Sequence, residues 1–351
     1  MSTSLGHYGA VSLDIKKAHE TSNKPARSAV AHSLILQQEA GEARCIPEAA
    51  SQKVQLAITS SIIINVILAI AKTYAAITSG SLAVLSSLVD SILDLTSQGL
   101  FWFSDRYMHT PNAKYPAGRR RLEPIAVVVS ATLMGMAALE VVQKSVTTLI
   151  EGFGGQLPEL DMSIPTVAVL GIAIIVKLML WFLCGQIAYV SPSAAALAQD
   201  HRNDVFSNAV AVTTSLVAHY NSELWYFDSI GAIAISIYIT LSWVATGKEQ
   251  VERLVGLQAD QDFIDRVRTI ADAHHPKLQS DIIRAYHFGN NFLVELEVVL
   301  PKDMSVQESH DISLALQIKV EALDEVERAF VHVDYQSRDY DEHKDPTARL
   351  D

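Results

Sequence analysis

The chain has 351 residues, 49% of them hydrophobic and only 19% charged, with a net charge of −12. That length accommodates about two domains, and the acidic balance argues against a nucleic-acid partner, which calls for a basic footprint. Two cysteines, Cys45 in a polar stretch and Cys184 in an apolar one, exclude a disulfide framework.

Residues 1–53 are polar and mixed in charge, with no apolar core of signal-peptide type. They read as a disordered cytosolic tail with a weak helix around 28–42. From residue 54 the texture changes. A membrane-spanning helix needs about 20 mostly apolar residues. Six stretches qualify: 54–78, 81–103, 122–146, 164–188, 195–219 and 225–247. The link over 104–124 carries Arg106, Lys114, Arg119, Arg120 and Arg121, whereas those over 151–165 and 221–228 lack Lys and Arg. The basic link is therefore expected on the cytosolic side, and six spans place both termini there. Arg119, Arg120 and Arg121 are expected to set this topology and to touch anionic lipid.

Residues 248–351 are too charged to span. "DQDFIDRVRTIADAHH" has helical periodicity, and "SDIIRAYHFGNNFLVELEVVLP" reads as two strands about a Gly-Asn turn. "SVQESHDISLALQIKVEAL" is a second helix with a capping box at Ser305 and Glu308, and "VERAFVHVD" is a third strand. The expected architecture is an α-helical membrane protein, a six-helix transport domain over 54–247. A cytosolic α+β domain of αββαβ order follows over 248–337, then a polar tail over 338–351.

Two carboxylates interrupt the second span. In "SSLVDSILDL", Asp90 and Asp94 are four residues apart and share one helix face. The fifth span contains "LAQDHRNDVFSN", where Asp200, Asp204 and Asn208 repeat that spacing. At 1.5 Å per residue, the first pair lies roughly 14–20 Å from one face of the membrane and the second roughly 8–14 Å from the other. In a core about 30 Å thick, both pairs lie near the middle. Four like charges there repel, and a divalent cation or protons would neutralise them. All-oxygen ligands favour hard ions such as Mn(II), Mg or Ca. Asn65 in the first span and Asn208 can add neutral oxygens. His201 follows Asp200 about 100° round the helix and is expected to face elsewhere. Bound metal would displace protons, so a site opening alternately to each side would exchange one for the other.

At this point the chain resembles the cation diffusion facilitators from about residue 54 to 340. "SGSLAVLSSLVDSILDL" is similar to the family's second span, "YPAGRRRLEP" to its basic cytoplasmic loop, "DHRNDVFSN" to its fifth span and "DSIGAIAISIYI" to its sixth. The resemblance implies a homodimeric exporter with a ferredoxin-like, metallochaperone-like cytosolic domain, exchanging metal for protons, and not an enzyme. Zinc-transporting members carry His at the first position of the fifth-span pair. Asp200 stands there in this chain, which resembles the manganese-type subgroup, as do "RAFVHVDYQ" and "AYHFG". The implied cargo is Mn2+, with Zn2+, Fe2+ and cobalt as alternatives, and a metal sensor or scaffold that does not transport is the rival class. A Golgi, endosomal or vacuolar membrane fits such an exporter.

His287 and His310 fall where zinc-type members carry cytosolic ligands, although Glu295 replaces a further histidine. His332 and Asp334 share a strand face, which makes the four a candidate cytosolic metal site. His274 and His275 follow a helix end and read as solvated. Lys177, deep in the fourth span, is expected to pair with an acid such as Glu140. Lys72 is expected to snorkel to the lumenal interface.

Overall fold

The computed structural model describes residues 48–79, 82–108, 114–115, 118–155 and 164–337. The possible helix over 28–42, the expected tail up to residue 47 and the stretch 338–351 lie outside the described residues. Among the described residues, six long helices follow in order: α1 (Glu48–Ser79), α2 (Leu82–Met108), α3 (Leu122–Phe153), α4 (Ile164–Gly185), α5 (Pro192–Tyr220) and α6 (Tyr226–Leu254). Helix α1 begins before the expected boundary at 54, because "EAASQK" consists largely of good helix formers. Helix α6 likewise runs past 247 and carries the chain out towards the second domain.

By length and composition, three of the six are apolar enough to cross a membrane among the described residues: Gln52–Tyr74 within α1, then α3 and α6. Helix α4 contributes a shorter apolar stretch, Gly171–Gly185. Helices α2 and α5 carry Asp90, Asp94, Asp105 and Arg106, and Asp200, Arg202 and Asp204. Such charges are tolerable in a span only when they face the bundle interior. Phe101, Val127, Leu197 and Trp243 are almost fully buried between helices. Ile63, Ile67, Ile70, Ile175 and Phe182 point outward, as expected where lipid replaces water.

Helix α5 starts through a local device. Ser191 has extended backbone, its hydroxyl accepts from the Ala194 N–H at 3.1 Å, and Pro192 occupies the first turn. Glu123, at the start of α3, accepts from the Ser193 N–H at 3.2 Å. This joins the beginnings of α3 and α5 at one end of the bundle.

The second domain has the expected αββαβ order: α7 (Gln261–Asp272), β1 (Gln279–Phe288), β2 (Asn291–Val299), α8 (Val306–Glu321) and β3 (Val326–Asp334). The sheet order is β1-β2-β3, antiparallel at the first junction and parallel at the second, with α8 as the crossover. The Ser305 hydroxyl caps α8 by accepting from the Glu308 N–H at 3.1 Å. Phe263, Val267 and Ala271 of α7 pack with Leu316 and Val320 of α8 over one face of the sheet, on Val294, Leu296 and Val298. The other face is polar. Arg284 pairs with Glu297 at 2.9 Å, and the Tyr286 hydroxyl donates to Glu295 at 2.6 Å. That bond to a carboxylate pushes the Tyr286 pKa up to about 12.

His287 stands opposite Phe292, on the core side of the sheet, with their rings 4.6 Å apart. Its Nδ1 is buried with no hydrogen-bond partner among the described residues. Burial first, and then the nearby Arg253 guanidinium, hold it below the usual histidine value.

The basic link between α2 and α3 docks on this domain. Arg120 pairs with Glu327 at 2.7 Å, and the Arg121 guanidinium lies 4.3 Å over the Phe288 ring. Arg119 covers Tyr115 at 4.5 Å. The expected lipid-facing role for these arginines is therefore corrected for Arg120 and Arg121, which the soluble domain engages. The β1–β2 turn closes the junction. Gly289 has φ +71°, and a Cβ added there would lie 2.9 Å from the Arg120 carbonyl oxygen.

Two outcomes are expected. Gly289→Ala should cost about 1–2 kcal/mol from the left-handed backbone alone, and more from the approach to Arg120. A lower melting temperature and faster proteolysis at the turn would show it. Below the ordinary histidine value of 6.5, the unfolded chain takes up a proton that folded His287 resists, so stability falls with pH in that range. Denaturant unfolding at a series of pH values should show that decline, and His287→Phe should flatten it.

Candidate metal centre

Helices α2 and α5 bring their carboxylates to one cavity of about 190 Å³. Asn65, Asp90, Asp94, Asp200, Asp204 and Asn208 all line it, so the six side chains singled out in the spans meet in space. The i, i+4 spacing explains why each pair presents one face. The burial is unequal: Asp200 is 5% exposed and Asn65 2%, while Asp90 is exposed.

Lys177 pairs with acids as expected, but not with Glu140. Its Nζ donates to Asp94 Oδ2 at 2.9 Å and also bonds Asp204 Oδ2, rather than pairing with Glu140, which is exposed. One ammonium thus bridges a carboxylate of α2 and a carboxylate of α5. Lys72 is a second correction. Instead of reaching the interface, it lines the cavity and donates to Ser91 Oγ at 2.7 Å. An ionisable residue deep in a span is itself a pointer to a functional interior, and that signal marks Lys177. Asn203 also lines the cavity, and nothing in its sequence neighbourhood distinguishes it from an outward-facing residue.

His201 is only partly as expected. It does not line the cavity, and its Nε2 shares a hydrogen bond of 2.8 Å with Ser61 Oγ on α1. Yet ligand atoms of Asp200, His201 and Asp204 all lie within 4.8 Å of one another. The 100° rotation keeps the imidazole off the carboxylate stripe without removing it from the neighbourhood.

Several buried polar atoms here have no hydrogen-bond partner among the described residues. They include, on the cavity wall, Asp200 Oδ2, Asn65 Nδ2 and both amide heteroatoms of Asn203. Buried polar groups are ordinarily satisfied, so these mark a place suited to water or a hydrated ion. The oxygen-rich donor set fits a hard divalent cation.

The cytosolic candidates behave differently. His332 and Asp334 lie on the polar face of the sheet, opposite Glu297 and Val299. His287 lies on the core face, and His310 is an exposed residue of α8 beside Asp311. The sheet separates His287 from His332 and Asp334, so the four do not converge within one chain. His275 is part-buried, and His274 Nε2 lies 3.0 Å from the Ile312 carbonyl oxygen, tying α7 to α8.

Residues 58–255 match the family of the cation efflux transmembrane domain, and residues 259–336 match that of the cation efflux protein cytoplasmic domain. The chain is 36% identical over 290 residues to Metal tolerance protein 11 of Arabidopsis thaliana, covering 82% of this chain and 73% of that protein. It is 38% identical over 290 residues to Metal tolerance protein 5 of Oryza sativa subsp. japonica, covering 82% and 69%. Metal tolerance protein 10 of Arabidopsis thaliana is 36% identical over 292 residues, covering 83% and 67%. A bundle that gathers four carboxylates, joined to an αββαβ domain and matched along both parts, places the chain in the cation efflux family: it is an integral membrane transporter of divalent metal cations and not an enzyme.

Proposed function

We propose that this transporter exports Mn(II) from the cytosol in exchange for protons, with Asp90, Asp94, Asp200 and Asp204 as the cargo ligands. Asn65 and Asn208 supply neutral oxygens. The observation that carries this reading is the chemistry of the cavity wall: all six side chains line one cavity, and no imidazole or thiol lines it among the described residues. Carboxylate and amide oxygens suit Mn(II), whereas imidazole and thiolate suit zinc. Ligating carboxylates must be ionised, so cargo binding and proton binding compete and the two fluxes are coupled.

Zinc is the second reading, and one observation favours it. The His201 nitrogen near Asp200 and Asp204 would complete a mixed nitrogen and oxygen set of the kind zinc accepts. In the manganese reading His201 remains bonded to Ser61 and only supports α5 from behind.

The proposal extends to assembly and placement. The soluble domain pairs two copies, supported by the exposed Phe330 within β3 and Tyr335 just beyond it. Both termini face the cytosol, consistent with the arginines between α2 and α3, and the outward apolar side chains contact lipid. The membrane is that of the Golgi, an endosome or the vacuole.

In proteoliposomes with a pH gradient, the protein should accumulate Mn(II). Asp94→Ala or Asp204→Ala should reduce this by more than the roughly 10–100-fold that outer-shell partners contribute. Metal binding without flux under any gradient would instead identify a sensor. Asp200→His should shift the Mn:Zn flux ratio towards zinc, and an unchanged ratio would remove Asp200 from selectivity.

A further inference from the structure

The proposed cargo position already holds a cation. Lys177 Nζ touches Asp94 Oδ2 at 2.9 Å and also bonds Asp204 Oδ2, and its side chain is 6% exposed. These carboxylates come from α2 and α5, and Lys177 from α4. A divalent ion bound by both carboxylates would sit about 2.0–2.6 Å from such oxygens. That is the volume the ammonium fills. Lys177 and the cargo cannot hold the same two oxygens at once.

We propose that Lys177 is a tethered counter-cation: cargo displaces it from Asp94 and Asp204, and it takes the cargo's place when the carrier returns unloaded. The inference rests on the reading of Asp94 and Asp204 as cargo ligands. Lysine suits the role chemically, because its ammonium is a point charge on a flexible four-carbon stem that can swing aside. Arginine would instead clamp carboxylates with paired hydrogen bonds. The ammonium also serves the return step. Ionised carboxylates cannot stay uncompensated at the middle of a membrane, and an internal cation compensates Asp94 and Asp204 without cargo. It holds α2 and α5 together in the meantime.

A purely structural ion pair would give a different result. Removing its cation would weaken the fold and leave Mn(II) affinity unimproved. Removing a competitor tightens Mn(II) binding.

The test is Mn(II) binding to the purified full-length protein in nanodiscs, with free Mn(II) read by electron paramagnetic resonance, together with flux in proteoliposomes. Lys177→Met and Lys177→Gln are each expected to lower the Kd by about tenfold or more, because a positive charge has left the site. Both should lower maximal flux, because the unloaded return is no longer compensated. Lys177→Arg should raise the Kd. A Kd equal to or weaker than wild type in monodisperse Lys177→Met or Lys177→Gln protein would overturn the proposal. If neither neutral variant is monodisperse, Lys177→Arg decides, and an unchanged Kd there overturns it. Asp94→Asn and Asp204→Asn separate the two levels. If they keep wild-type Mn(II) binding, the reading of the cargo site has failed, whereas lost binding there with an untightened Lys177→Met condemns the lysine proposal alone.

Discussion

Charge compensation in a medium that does not solvate charge governs the transport domain. Asp94 on α2, Asp204 on α5 and Lys177 on α4 meet in one buried ion cluster. Breaking a buried pair by removing one partner typically costs about 3–5 kcal/mol. The three helices must therefore rotate so that these side chains point at one another. Once that rotation is set, the remaining polar residues of the same faces follow. Asp90 and Asn208 fall on the carboxylate stripes by helical spacing, and Asn65 enters from α1. The apolar residues of the opposite faces point outward.

Compensation also explains why the interior is only partly satisfied. Lys177 neutralises two carboxylates, but Asp200 Oδ2 and the amides of Asn203 and Gln98 keep no partner among the described residues. A rigid structural core would pair such atoms. The cavity wall thus holds an ammonium paired with two carboxylates beside an Asp200 oxygen and an Asn203 amide that have no partner among the described residues.

The second domain is attached by contacts of another kind. Its β1–β2 turn comes close to the link between α2 and α3, with Gly289 against the Arg120 carbonyl, Arg120 on Glu327 and Arg121 on Phe288. Arg253, near the end of α6, reaches Asn290 in the same turn at 3.0 Å. The soluble domain therefore contacts both the end of α6 and the start of α3.

Much of this was legible in the chain alone. Apolar runs locate the six helices, alternation and helical period give the αββαβ order, and the four-residue spacing puts Asp90 with Asp94 and Asp200 with Asp204. Each of these is a local pattern, fixed by the geometry of a single element. What the chain could not disclose were choices between elements. Lys177 could have reached Glu140; it reaches Asp94 and Asp204 because α4 packs against α5 at that rotation. His287 reads as a partner for His332, yet strand register puts them on opposite faces of one sheet. Arg120 and Arg121 read as lipid contacts until the turn at Gly289 is seen beside them. Composition and periodicity settle which residues carry charge and which face of their own helix or strand they share. Which partner each charge meets is left to tertiary packing, because helix rotation and domain docking depend on all the packed elements at once.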